Sequence, residues 1–221
     1  MLLELENVSR SYRGRNGSRV DAVQNVDLAM EPGEFVAVGG PSGSGKSTLL
    51  LIAGGLLAPD TGTVHVLGKQ PYAMNADERS RFRSVTLGFV FQQFHLVPYL
   101  SVLENVLAPS LGAAIRGANS RAEQLVARFG LDNRIGHLPG EMSTGERQRT
   151  AMARALMNHP KLLLADEPTG NLDQENQDLL LDCLREEASC GTAVLLVTHD
   201  QQAAGRADRT IGLHDGQLHQ K

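Results

Sequence analysis

GPSGSGKST, Gly40 to Thr48, follows the apolar run FVAVGG (35–40) and leads into KSTLLLIAGGL (46–56). The order is strand, glycine loop, helix, and the nine residues fit G-x-x-x-x-G-K-[ST]. Each residue type has a physical reason to be there. Gly40, Gly43 and Gly45 let the loop, which also contains Pro41, Ser42 and Ser44, turn its backbone N–H groups onto phosphate oxygens, and the helix amino end adds a favourable dipole. Lys46 is expected to reach the β- and γ-phosphates, Ser47 to ligate Mg²⁺ and Thr48 to donate to the α-phosphate. The competing reading is an ordinary glycine-rich turn, and the full motif between strand and helix outweighs it.

A second cluster lies downstream, where LLLADEP (162–168) ends an apolar strand in two adjacent acids. Burying carboxylates at a strand end is costly unless they meet a cation. Asp166 is placed to hold Mg²⁺, and Glu167, one position on, to take a proton from an attacking water. The alternative, a pair of solvated acids, loses weight beside a phosphate loop. Two acids together also favour hydrolysis over transfer to a separately bound acceptor.

The rest of the 221 residues bounds the class. A hydrophobic content of 41% supports a full core, and no internal repeat or low-complexity linker divides the chain, so one domain is expected over 1–221. The longest apolar run, LLLIAGGLLA (49–58), is half of what a bilayer requires and contains two glycines. The amino terminus lacks the pattern of a secretory signal, which points to the cytoplasm. A net charge of −4 argues against nonspecific nucleic-acid binding. Cys183 and Cys190 do not have CxxC spacing and are read as reduced thiols without a role.

Apolar runs at 35–40, 63–68, 86–92, 162–166 and 192–199, separated by helical segments, predict an α/β fold with a mostly parallel sheet. The first 35 residues predict a small antiparallel β subdomain, with turn signals at Pro32-Gly33 and Thr61-Gly62. Between about 97 and 158 the strand signals vanish, which predicts an inserted helical lobe, with Ser120-x-x-Glu123 as a capping box. Within that lobe EMSTGERQR (141–149) opens an alanine-rich helix, and Ser143 with Glu146 fits a capping box of its own.

Taken in order, Tyr12, GPSGSGKST, VFQQ (90–93), STGERQR (143–149), LLLADEPTGNLD (162–173) and VTHD (197–200) resemble the motif set of the nucleotide-binding subunit of ABC transporters, over essentially the whole length. The resemblance implies a P-loop NTPase fold, ATP and Mg²⁺ as ligands, Tyr12 stacking on adenine, Gln92 as a Mg²⁺ ligand and link to a membrane partner, Asp173 as the D-loop aspartate and His199 as the switch histidine. Blander readings stay open for three of these: Tyr12 as a packed aromatic, Asp173 as the amino cap of QENQDLLLDCLREEA, and His199 as a core histidine. The resemblance also implies that Ser143, Thr144, Gly145 and Glu146 face a second subunit's γ-phosphate, so that ATP is enclosed between two head-to-tail copies. Thr144 departs from the glycine usual there, and a slower site is expected.

PTGNLD, FQQFHLVPYLSVLENV (91–106) and Glu146 resemble the branch that holds the lipoprotein-releasing, macrolide-efflux and cell-division ATPases. Such subunits pair with a separate integral membrane permease, and no regulatory extension is expected after the strand pair RTIGLHDGQLH (209–219). Two other readings remain at this point: a soluble ABC-type ATPase without a transport partner, and a regulatory nucleotide-binding module with little turnover.

Overall fold

The computed structural model describes residues 1–14, 17–112 and 115–220. Two sheets organise them. The first is antiparallel, in the order β2-β1-β4, and is made of β1 (Leu3–Arg13), β2 (Arg19–Met30) and β4 (Thr61–Val66). The second has six strands: β5 (Leu87–Phe91), β6 (Leu162–Asp166), β7 (Ala193–Thr198), β3 (Phe35–Gly39), β8 (Arg209–His214) and β9 (Gln217–Gln220), in that spatial order. All of its pairings are parallel except the closing β8–β9 hairpin.

The central strands are buried on both faces, which is why they read as unbroken apolar runs. Side chains alternate along β6: Leu162 and Leu164 point into a core shared with the small sheet and with α1 (Lys46–Ala53), whereas Leu163 and Ala165 join Val102, Leu125, Met152 and Leu184 in a second core. That second core packs the helices α3 (Val102–Leu107), α4 (Ala118–Arg128), α5 (Thr144–Leu156) and α6 (Gln174–Ser189) against the sheet. Two more α-helices stand among the described residues, α2 (Ala76–Thr86) before β5 and α7 (Gln201–Ala204) after β7.

Three expectations need correction. The run at 63–68 does not join the parallel sheet; its strand, β4, pairs antiparallel with β1, Leu3 opposite Val66 and Leu5 opposite Val64. Only Val64 and Val66 are fully buried, so β4 is a one-faced strand, and the exposed Thr61 and Thr63 with the half-buried His65 carried that signal. Ser120 caps nothing: α4 starts two residues earlier, after Gly117 in the left-handed region at φ 75°. Pro32-Gly33 links the two sheets instead of closing an antiparallel pair, with Gly33 lying against Ala188 and Gly191 where a side chain would crowd the backbone.

The parallel register decides where the chemistry collects. Gly39 pairs with Thr198, and Asp166 with both Val197 and Phe91, so β3, β5, β6 and β7 end along one edge of the sheet. The phosphate loop, Gln92, Glu167 and His199 are the residues that follow those four ends. Ligands of open parallel sheets bind at that edge, just past the strand carboxyl ends.

Candidate active site

An open cleft of about 710 Å³ lies at this edge. Tyr12, Lys46, Gln92, Glu167 and His199 border it together with the loop residues Pro41, Ser42, Gly43, Gly45, Ser47 and Thr48. Motifs separated by up to 187 positions in sequence therefore share one space, as Tyr12 and His199 show.

The loop is shaped by its glycines. Gly43 and Gly45 adopt φ 80° and 103°, and a Cβ at Gly45 or Gly40 would run into the backbone carbonyl of Ala22 or Leu213. Lys46 is 6% exposed, and its Nζ donates to the carbonyls of Gly40 and Pro41, both at 2.9 Å. The Ser44 hydroxyl is buried and has no hydrogen-bond partner among the described residues, which is costly unless an anion supplies one. A compact cation, an orphaned hydroxyl and a helix amino end in one concavity fit a polyphosphate.

Ser47 Oγ donates to Asp166 Oδ1 at 3.0 Å. Burial pushes the Asp166 carboxyl above its ordinary range, and the neighbouring Glu167 adds to that push, while Ser47 and Lys46 work against it. A bound cation would offset the burial cost. Hydroxyl and carboxylate oxygens suit Mg²⁺, which takes few protein ligands beside substrate phosphates and water. Among the described residues no three His, Cys, Asp or Glu side chains converge as a metal-binding group.

Glu167 sits between the Lys46 ammonium and the His199 ring. Its Oε1 lies 3.5 Å from Lys46 Nζ, and its Oε2 is 2.7 Å from His199 Nδ1 and accepts from the His199 backbone N–H at 3.2 Å. The Thr198 hydroxyl donates to the same oxygen at 3.4 Å. Glu167 itself has φ 45°, uncommon for a residue with a side chain, and its N–H is tied to the Val197 carbonyl at 2.9 Å. Leaving the strand through this left-handed residue turns the carboxylate back toward the phosphate loop.

Tyr12 is 40% exposed, so it is not a packed core aromatic. Its hydroxyl lies 3.4 Å from Thr48 Oγ1, and the Arg10 guanidinium stands 5.5 Å from its ring centroid. His199 is exposed at the cleft and is likewise not a core histidine. Asp173 does cap α6, accepting from the Asn176 backbone N–H at 2.9 Å. The Gln92 side-chain amide borders the cleft and leans on Gly170, and the Gln92 backbone carbonyl accepts from Asn171 Nδ2 at 3.1 Å.

The segment Ser143 to Glu146 is elsewhere. None of its four residues borders the phosphate-loop cleft. Ser143 caps α5 through the Glu146 N–H at 3.2 Å while Glu146 Oε2 accepts from the Ser143 N–H at 2.7 Å, the reciprocal box expected from the sequence. Arg134 adds an ion pair to Glu146 at 2.7 Å and, ahead of the Ser143 bond, holds its carboxyl down at about 2.

Motif reading alone does not single out Thr198, Arg154 or Asn176. Arg154, on the face of α5 turned to the core, donates to the Phe94 and His95 carbonyls at 2.5 and 2.6 Å and so fixes the tight turn after Gln92. Its only sequence signal was a charge within an apolar helical stripe.

With this geometry in place, the chain matches the family model described as ABC transporter over residues 23–170. This chain belongs to the ABC transporter family. It is 44% identical over 220 residues to the lipoprotein-releasing system ATP-binding protein LolD 1 of Rhodopirellula baltica, covering 98% of this chain and 96% of that one. It is 45% identical over 216 residues to the macrolide export ATP-binding/permease protein MacB of Rhodopseudomonas palustris, covering 97% of this chain and 33% of that larger protein. Among solved structures it resembles the dimeric structure of MJ0796, a bacterial ABC transporter cassette, with TM-score 0.91 at 37% identity over 99% of this chain and 97% of that one. A dimeric post-hydrolysis state of the MJ0796 ATP-binding cassette, bound to ADP and Pi, gives TM-score 0.90 at 37% identity over 99% and 98%. The six-stranded sheet and its phosphate loop are thus those of an ABC ATPase cassette.

Proposed function

We infer that this chain is the ATP-binding and ATP-hydrolysing subunit of an ABC transporter, acting as a head-to-tail homodimer around two ATP and driving a separate integral membrane subunit. The observation that carries the reading is the placement of Glu167 between Lys46 and His199 at the mouth of the phosphate loop, 3.5 and 2.7 Å away.

In this reading the loop amides and Lys46 hold the β- and γ-phosphates, Thr48 meets the α-phosphate and Tyr12 stacks on adenine. Ser47, Asp166 and Gln92 are the oxygen donors for Mg²⁺, which when bound neutralises charge on the phosphates. Glu167 takes a proton from water as its oxygen bonds to the γ-phosphorus; the bond to the β-bridging oxygen breaks, and ADP keeps the electron pair. Lys46 stabilises charge on the leaving group, and His199 orients Glu167 and reaches toward the γ-phosphate.

Ser143, Thr144, Gly145 and Glu146 lie away from this cleft, which supports the reading, implied by the family resemblance, that they and Asp173 serve the ATP of the partner copy. ATP is then part of the interface, and its hydrolysis loosens the dimer through differential affinity for ATP and ADP. The permease in the MacB name supports a membrane permease as the second partner, and that partner would hold this chain at the cytoplasmic face of the inner membrane. No helix among the described residues is long and apolar enough to span a membrane. A groove of about 440 Å³ next to the Gln92 turn, lined by Leu56, Arg83, Leu87, Phe89, Phe91 and His95, favours docking of the permease there.

ATPase assays and affinity capture of detergent-extracted membranes with the tagged chain test this. Hydrolysis that falls about 10²- to 10⁴-fold in Glu167→Gln, together with recovery of a multi-span membrane protein, is the expected result. Unchanged hydrolysis would remove Glu167 as the base. Failure to capture a membrane protein would return the soluble ATPase reading.

A further inference from the structure

Two side-chain bridges tie the amino end of α5 to the segment that leaves β6. One of them passes through a residue that no motif contains. Asn176 is the third residue of α6. Its Nδ2 donates to Asp173 Oδ1 at 2.8 Å, and its Oδ1 accepts from Arg149 Nη1 at 2.7 Å. Arg149 stands in the second turn of α5, so the amide links the helix that starts at the signature turn, Ser143 to Glu146, with the cap of α6. The second bridge runs from Gln148, 2% exposed, to the Pro168 carbonyl at 3.0 Å, one residue past Glu167.

The same amide also closes on Gly145. A Cβ at that position would lie 2.6 Å from Asn176 Oδ1, 2.8 Å from Cγ and 2.9 Å from Nδ2. A side chain at position 145 would therefore have to displace this amide inside the subunit, independently of any phosphate that approaches from outside. Few side chains fit this place: it needs a donor toward one anion and an acceptor toward one cation from a short planar group. An aspartate would set two carboxylates against each other, and an alanine would leave Arg149 and Asp173 unbridged.

We propose that Asn176 is a positioning residue that fixes the signature turn and Asp173 relative to one another, so that the signature turn's contact with the partner's ATP is transmitted to the Asp173 and Glu167 segment of its own subunit. This rests on the head-to-tail dimer inferred above. Within one chain, the two groups face different nucleotides. A rigid link between them couples the two sites, whereas a loose one lets each respond alone.

The test compares steady-state ATPase kinetics of Asn176→Ala, Asn176→Asp, Arg149→Ala and the double variant Arg149→Ala/Asn176→Ala with wild type. Nucleotide affinity of each monomer is measured with a fluorescent ATP analogue, and thermal unfolding serves as a control. Each variant is expected to lose about tenfold in kcat, with KM and analogue affinity within about threefold of wild type, and the double variant to lose no more than either single. Asn176→Asp, nearly isosteric, keeps the Arg149 contact and the fold while removing the donor to Asp173, so it reads the bridge even if the alanine variant folds poorly. Wild-type kcat in Asn176→Asp, or losses that multiply in the double variant, would overturn the proposal. Glu167→Gln run alongside separates the two levels: if it fails to dimerise with ATP the dimer reading itself falls, and if it dimerises while the Asn176 variants behave as wild type, only the role of Asn176 falls.

Discussion

Glu167 shows how one residue combines sequence, backbone and chemistry. Its type and place were legible from LLLADEP, but the left-handed φ of 45° that turns it back to Lys46 was not, because nothing in a glutamate's identity announces that conformation. Its contact with His199, 32 positions on, follows from strand register, which a motif does not encode. His199→Ala is expected to lower kcat by about a hundredfold while Lys46 keeps nucleotide affinity within a few fold, read from initial rates and analogue binding. Thr144 is a different case. It is the first residue of α5 and its φ is not positive, so a β-branched residue meets no backbone penalty there, and its Oγ1 takes only a long contact from Arg147 at 3.4 Å. In the proposed dimer, what remains is its bulk toward the partner's phosphate. Thr144→Gly is expected to raise turnover by up to about tenfold, about 1.4 kcal/mol of barrier, in the same assay; unchanged turnover would mean that Thr144 fits the closed site without cost.

At the scale of elements, the Ser143 and Asp173 caps and the buried strands were legible, whereas the Ser120 cap was not, because Gly117 starts α4 earlier. The Ser143 and Asp173 caps, the β6 strand and the phosphate-loop helix all lie where residue types demanded them, since caps and buried strands are local signals. β4 was misassigned because a run of six residues carries no information on which sheet it joins. The α5 cap makes a pH prediction. The Glu146 carboxyl is held down at about 2 in the folded chain, against an ordinary 4.5, by Arg134 first and by the Ser143 N–H next. A lowered folded value means that the stabilisation is complete above about 4.5 and disappears as pH falls toward 2. Unfolding temperatures of wild type and Glu146→Gln are expected to differ at pH 7 and converge at the acid end, and a constant difference would contradict the account. The α6 cap separates two roles of Asp173: asparagine caps as well as aspartate, so Asp173→Asn is expected to leave the unfolding temperature nearly unchanged while lowering ATPase activity, whereas Asp173→Ala adds a loss of about 1 kcal/mol in stability.

For the whole molecule, the parallel register gathers Lys46, Glu167 and His199 at one sheet edge and leaves the signature turn outside their cleft. The sequence held every motif residue of that cleft but not the links between them, because the Arg154, Asn176 and Thr198 contacts depend on side chains that meet only after helices and sheet have packed. In the proposed dimer the parts of each ATP site are divided between two chains, and a second copy supplies to each cleft the signature turn that lies outside it. The most direct measurement of that claim is the solution mass of Glu167→Gln by light scattering, with and without ATP and Mg²⁺. The account predicts a monomer without nucleotide, twice that mass with ATP, and a return to monomer when Ser143→Arg is added to block the signature turn. A mass that stays monomeric with saturating ATP, or a dimer indifferent to both ATP and Ser143→Arg, would contradict it.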